Sequence, residues 1–134
     1  MEIFRAKTTL VLMIFLCGSA FSLEFHCPSE IQSKQSLVKP VEGWTQFHYQ
    51  KEIKLKLQAI SITSGPPEEN AILVPDGEDK ETFWIFSKDD KSTHWVACGY
   101  NGAGLNLVRK IPNNIKKCTL KKREQTENQY LDCN

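Results

Sequence analysis

Several features that define common functional classes are missing from this sequence. No cysteine pair has the close C-x₂-C spacing of structural zinc sites, and the histidines are scattered, so we expect no metal centre. No serine lies in a Gly-x-Ser-x-Gly elbow, and the one glycine-rich loop leads into a strand-like segment rather than a helix. These absences argue against a serine hydrolase and a nucleotide-binding protein, and we expect no cofactor.

A surplus of one charge sign is missing as well. The chain has 17 basic and 16 acidic side chains, which makes nucleic acid an unsuitable partner. The charges are segregated along the chain, however. Acidic residues are concentrated between residues 68 and 90, and lysine and arginine between residues 116 and 123. Short charge runs of this kind are usually solvated loops and strand faces.

The N-terminal segment has the three parts of an export signal. Arg5 and Lys7 supply positive charge, residues 8–15 form an apolar core, and Ala20-Phe21-Ser22 has the small-x-small pattern of a cleavage site. The apolar run is too short to span a bilayer. The sequence therefore predicts a cleaved signal peptide over residues 1–22 and a single, exported, soluble domain over residues 23–134, without membrane insertion after cleavage. The chain has no Asn-x-Ser/Thr site, which fits the bacterial periplasm at least as well as a eukaryotic secretory route.

Four cysteines remain once Cys17 is removed with the signal. An even number in an oxidising compartment predicts two disulfides. Three pairings are possible for Cys27, Cys98, Cys118 and Cys133. Hairpin geometry favours Cys118–Cys133, because both lie on short candidate strands joined by a polar loop, and this leaves Cys27–Cys98.

Most of the remaining chain alternates apolar and polar residues. Ile53, Leu55 and Leu57 alternate with lysines and predict a half-buried strand, and the alternation shifts by one residue at Ala59-Ile60, which predicts a β-bulge. Residues 30–38 fit either a helix or an edge strand. Further strands are predicted at residues 71–74, 82–87, 95–100, 105–111, 117–123 and 130–133. This spacing predicts an all-β fold, either a single antiparallel β-sandwich or a barrel-like meander.

The polar residues do not form a convincing catalytic set. Every cysteine after the signal is explained as a disulfide partner, which removes a Cys-His nucleophile. Asp89 and Asp90 are adjacent, so in an extended chain their side chains point to opposite faces. His94 is the one histidine worth considering, and a histidine at a strand end is more often structural or solvated than catalytic. We therefore expect no enzymatic activity.

Two stretches carry a family resemblance. The first is His26-Cys27-Pro28, and the second runs from Trp95 to Tyr100 and continues through Leu105, Leu107, Arg109, Ile111, Pro112 and Cys118. The chain resembles a family of small periplasmic proteins of Gram-negative bacteria, some encoded in type VI secretion loci. It is similar to immunity proteins that neutralise peptidoglycan-targeting, L,D-transpeptidase-like effectors. The resemblance implies that the protein binds a secreted cell-wall-degrading effector and blocks its active site.

Two alternatives stay open beside this resemblance: a periplasmic enzyme inhibitor directed elsewhere, such as a lysozyme inhibitor, and an envelope ligand-binding module. Loops at the ends of a rigid β scaffold commonly carry recognition. Tryptophans usually fill a core, but Trp44 follows Pro40 and Gly43 in a predicted loop and could anchor a partner. The predicted partner-binding residues are Trp44, Asp76, Asp79, Asp89, His94 and Asn101.

Overall fold

The structure is a computed structural model that describes residues 21–47, 52–101, 104–126 and 128–134. Eight strands and one short 3₁₀ turn, Pro67–Glu69, make up its regular structure. The strands are β1 Leu23–His26, β2 Glu30–Ser33, β3 Ile53–Ser64, β4 Phe83–Ile85, β5 His94–Tyr100, β6 Leu105–Ile111, β7 Lys117–Lys122 and β8 Gln129–Cys133. The predicted all-β fold is confirmed.

The strands form two four-stranded sheets. The first has the order β1-β8-β7-β4 and the second the order β2-β3-β5-β6, and every pair of neighbouring strands is antiparallel. β4 follows β3 in the chain but joins the opposite sheet, so the molecule is a sandwich rather than a continuous meander. Two hairpins, β5–β6 and β7–β8, connect neighbours directly.

The apolar core lies between the two sheets. The first sheet contributes Phe25, Trp84 and Leu131, and the second contributes Ile62 and Val96, all of them buried. Because successive side chains of a strand point to opposite faces, each strand places these residues on its inward face, and together they form one layer. Burying an aliphatic or aromatic side chain of this size stabilises the fold by about 1.5–3 kcal/mol.

β3 bends where the sequence predicts a bulge. The register of the β3–β5 pair shifts between Leu57 and Ala59, which lets Ile60 and Ile62 both turn inward after the shift. Residues 30–38 contain an edge strand, β2, and no helix.

The predicted strand at residues 71–74 is wrong in extent. Ile72 forms a single bridge with Thr63, and the main chain bonds β3 only at Ala71 and Leu73. Asn70 has a positive φ of 52° before this segment, and Pro75, which lacks an N–H, follows it. The turn and the proline therefore limit this segment to a short bridge.

Both favoured disulfides are present. Cys118 and Cys133 are directly opposite each other on β7 and β8, and their bond closes the hairpin. Cys27 follows β1 and is bonded to Cys98 on β5, so the second bond links the two sheets. In the chain-entropy account, the shorter loop contributes about 3 kcal/mol and the longer about 4 kcal/mol to stability.

The predicted signal peptide lies almost wholly outside the described residues and stays a prediction. Within the described part of the chain, no helix is long and apolar enough to cross a membrane.

Candidate partner interface

The six predicted contact residues do not form one surface. His94 begins β5 and Asn101 follows its last residue, so the two lie about 20 Å apart at the usual rise per residue of a strand. The loop that carries Trp44 joins β2 to the start of β3. The Asn101 N–H donates to the carbonyl of Lys56, near the start of β3, so this loop and Asn101 lie at the same end of the second sheet. Asp89 lies in the loop before His94, at the opposite end.

One loop exposes an unusual number of apolar side chains. Residues 34–47, here called the apolar loop, expose Val38 (97%), Trp44 (80%) and Phe47 (75%), together with Leu37 and Val41. Monomeric proteins seldom leave so many large apolar groups in one short stretch in contact with water unless the stretch binds something. The exposure of Trp44 agrees with the sequence-based expectation, whereas Val38 and Phe47 were missed.

Specific contacts hold the apolar loop in shape. The N–H of Leu37 donates to Oε1 of Gln46 at 3.1 Å, and the N–H of Trp44 donates to the carbonyl of Val41 at 3.1 Å. Gly43 has a φ of 79°, a conformation that glycine adopts without steric penalty. These bonds tie the start of the loop to its end and place Trp44 just after a tight turn.

The two predicted acidic contacts near β4 have different environments. The carboxylate of Asp76 accepts a hydrogen bond from the N–H of Ile85 at 2.6 Å, so it helps to hold β4 in place. Asp79 is exposed in the following loop. Asp79 is therefore free to act on a partner electrostatically, while Asp76 has a structural role.

His94 is largely covered by its neighbours. Its side chain is 11% exposed, its Nε2 lies 3.3 Å from Oδ2 of Asp90, and its ring packs against Phe86 at a centroid distance of 4.4 Å. Asp90 in turn accepts the N–H of Ser92 at 2.8 Å, and hydrogen bonds from Ser92, together with the nearby His94, lower the pKa of Asp90. These contacts fix the loop before β5, beside a cleft of about 430 Å³ that the loops before β5 and after β6 line.

A groove opens between the edge strands of the two sheets. It lies between β1 and β6, has a volume of about 190 Å³, and is called the β1–β6 groove below. Phe25, His26 and Pro28 form one wall, and Leu107 and Arg109 form the other. The guanidinium of Arg109 lies 5.7 Å from the centre of the Phe25 ring, at the distance of a cation–π contact. The sequence predicted β6 as a strand, but its position at the edge of the sheet depends on pairing that no local pattern reports.

Metal binding finds no support in the described ranges, where no three His, Cys, Asp or Glu side chains come together in a way that could hold an ion.

Most of the chain matches one known protein family. Residues 50–134 match the family model described as Type VI secretion system Tli immunity protein, which is more than half of the chain. The chain belongs to this family. No curated protein and no solved structure matches it. The match confirms the resemblance to type VI secretion immunity proteins.

The part of the chain that the family model matches includes β3 to β8 and therefore the whole edge strand β6. The apolar loop and β1 lie before the matched residues. One wall of the β1–β6 groove is thus inside the family match, while Trp44 and the rest of the apolar loop lie outside it.

Proposed function

We propose that this immunity protein binds a cognate secreted effector in the periplasm and blocks its active site, without catalytic activity of its own. The observation that carries the proposal is the hydrogen-bonded apolar loop, which leaves Val38 97% and Trp44 80% exposed in a protein whose family acts in immunity. Because main-chain hydrogen bonds hold the turn before Trp44, the backbone loses little conformational freedom when a partner covers this side chain. The apolar loop is therefore the proposed contact.

The periplasmic location and the class of effector rest on sequence. The export signal predicted over residues 1–22 would place the protein outside the cytoplasm. The resemblance to immunity proteins against L,D-transpeptidase-like effectors supports peptidoglycan as the target of the toxin. Asn101 lies at the same end of β5 as the apolar loop and remains a proposed contact beside it. Asp89 and the largely covered His94 lie at the opposite end and remain proposed contacts apart from the loop.

Co-expression tests the location and the effector class together. The gene is expressed with and without codons 2–22 in cells that send the secreted protein encoded beside it to the periplasm. Protection only by the exported form supports the proposal, and equal protection by the cytoplasmic form would contradict it. Analysis of the poisoned cells separates cleaved peptidoglycan from degraded membrane lipid, and lipid damage would show the peptidoglycan assignment to be wrong while leaving the inhibitory role intact.

A matched pair of variants tests the contact. Val38 and Val74 are the same residue type and are 97% and 84% exposed, but only Val38 lies in the apolar loop. Trp44→Ala should weaken effector binding by about 2 kcal/mol or more, the usual threshold of a hot spot. Val38→Ala should weaken it less, and Val74→Ala should leave it unchanged, as measured by titration calorimetry. Parent-like binding by Trp44→Ala, with the fold intact by circular dichroism, would exclude the apolar loop as the anchor.

A further inference from the structure

The outer edge of β6 has main-chain groups that no strand pairs. Among the described residues, β5 is the only strand that pairs with β6. On β5 and at its ends, the main-chain N–H and C=O groups of odd-numbered residues point toward β3. The carbonyl of Thr93 accepts the N–H of Gly65 at 2.7 Å, and the N–H of Asn101 donates to the carbonyl of Lys56 at 3.2 Å. The main-chain groups of even-numbered residues of β5 therefore point toward β6.

The register then fixes which groups of β6 point away from the sheet. Cys98 is opposite Leu107 and Val96 is opposite Arg109, so the odd-numbered positions of β6 bond to β5. The N–H and C=O groups of Asn106, Val108 and Lys110 consequently point outward. Such a row of alternating donors and acceptors is a template for one further strand.

The β1–β6 groove lies beside this open edge. The side chains of Leu107 and Arg109 share a face with those of Cys98 and Val96 and so point toward the space between the sheets. Leu107 is only partly covered, with 40% of its surface exposed. A strand added to β6 would thus place alternate side chains over the groove, where an apolar residue could cover Leu107.

We propose that β6 accepts an extended segment of the cognate effector as an added β-strand, with an apolar side chain in the β1–β6 groove and an acidic side chain paired with Arg109. This inference rests on the proposed function, since the occupant is the effector. Main-chain hydrogen bonds would supply affinity, and the groove and Arg109 would select the sequence of the added segment.

Charge favours an acidic segment over a second copy of this chain. β6 carries Arg109 and Lys110 and no acid, so pairing two copies would place four cations on one two-stranded ribbon. Natural sheets use such edge cations to prevent self-association. On the facing strand, the carboxylate of Glu24 is already engaged by His26 at 2.7 Å, which leaves Arg109 available to an acid from the partner.

Proline substitution tests the added strand directly. Because the N–H of Val108 points outward, Val108→Pro removes a donor to the effector without removing a bond to β5. With the secreted protein encoded by the adjacent gene as the probe, Val108→Pro should weaken binding at least tenfold, and Val108→Ala, which keeps the N–H, should stay within about threefold of the parent. Arg109→Glu should weaken binding more than Arg109→Gln.

Amide hydrogen exchange of the parent complex gives a second readout that does not depend on a variant folding. Binding should slow exchange at Asn106, Val108 and Lys110, and unchanged exchange there would overturn the proposal. Binding by the parent with no effect of Val108→Pro would exclude strand addition and leave the proposed function standing. Failure of the parent to bind would instead refute the proposed function. A dimer that Val108→Pro abolishes would show that a second copy occupies the edge and would also overturn the proposal.

Discussion

Trp44, Trp84 and Trp95 occupy three different environments in one small domain. Trp84 is 4% exposed and its Nε1 donates to the carbonyl of Leu73 at 3.2 Å. Trp95 is partly covered, and its Nε1 is buried without a hydrogen-bond partner among the described residues. Trp44 is exposed to solvent at a tight turn. The usual expectation that tryptophans fill the core therefore applies fully to Trp84 alone.

The contrast between Trp84 and Trp95 predicts that substitution by phenylalanine destabilises the fold more at Trp84 than at Trp95. Trp84→Phe removes the indole N–H that donates to the Leu73 carbonyl and leaves this carbonyl without that hydrogen bond. Trp95→Phe removes an indole N–H that has no partner among the described residues. We expect Trp84→Phe to lower the free energy of unfolding by about 1–3 kcal/mol more than Trp95→Phe does. Urea denaturation followed by circular dichroism measures both. Equal losses would contradict this prediction.

Secondary structure elements show which features the sequence could predict. The alternation in β3 and its shift at Ala59 are local patterns, and both correspond to the observed strand and bulge. β6 was predicted with its observed bounds, Leu105–Ile111, but its exposure was not, because edge position depends on which strands pair across the whole chain. The segment at residues 71–74 has strand-like composition but the turn and the proline that flank it limit it to a bridge. Trp44 was found from its glycine and proline neighbours, while the rest of the apolar loop had no comparable signal.

The β7–β8 hairpin contains an ion pair that should make stability depend on pH. The ammonium of Lys121 lies 2.9 Å from Asp132, and hydrogen bonds from the Ser22 hydroxyl and from Lys121 lower the pKa of Asp132. A carboxyl group with a lowered folded-state pKa stabilises the fold above its unfolded-state pKa of about 4, and this contribution is lost as pH falls through the folded-state value.

Asp132→Asn should therefore reduce the acid sensitivity of the fold. Between pH 5 and pH 2.5, the melting temperature of the parent should fall further than that of Asp132→Asn. Lys121→Gln should reduce the fall in melting temperature in part, because the positive charge beside Asp132 is then removed while the Ser22 hydroxyl still donates. Identical profiles for parent and Asp132→Asn would refute the role of this pair.

At the scale of the whole molecule, charges that are separated in sequence adjoin in space. β4 pairs with β7, so the acidic loop before Phe83 lies beside the lysines of β7. Lys117 lies 4.5 Å from the centre of the Phe83 ring, and Glu81 contributes to the raised pKa of Lys121, after Asp132. The folded molecule therefore offsets part of the charge separation that the sequence shows.

Exposed acids of the loop before β4 should steer the encounter with a basic rim of the effector. We expect Asp79→Asn combined with Glu78→Gln to slow association by about two- to fivefold at low salt and to flatten its salt dependence, with dissociation unchanged. Asp76 is kept in this variant, because its carboxylate holds the N–H of Ile85 and its loss would disturb β4. Glu124→Gln is the matched control, an exposed acid near the basic end of β7 whose removal should not slow association. Stopped-flow kinetics with the purified effector at several salt concentrations measures these rates. If the double variant associates as fast as the parent at every salt concentration, the acidic loop does not guide binding, and recognition depends on the apolar loop and the β6 edge.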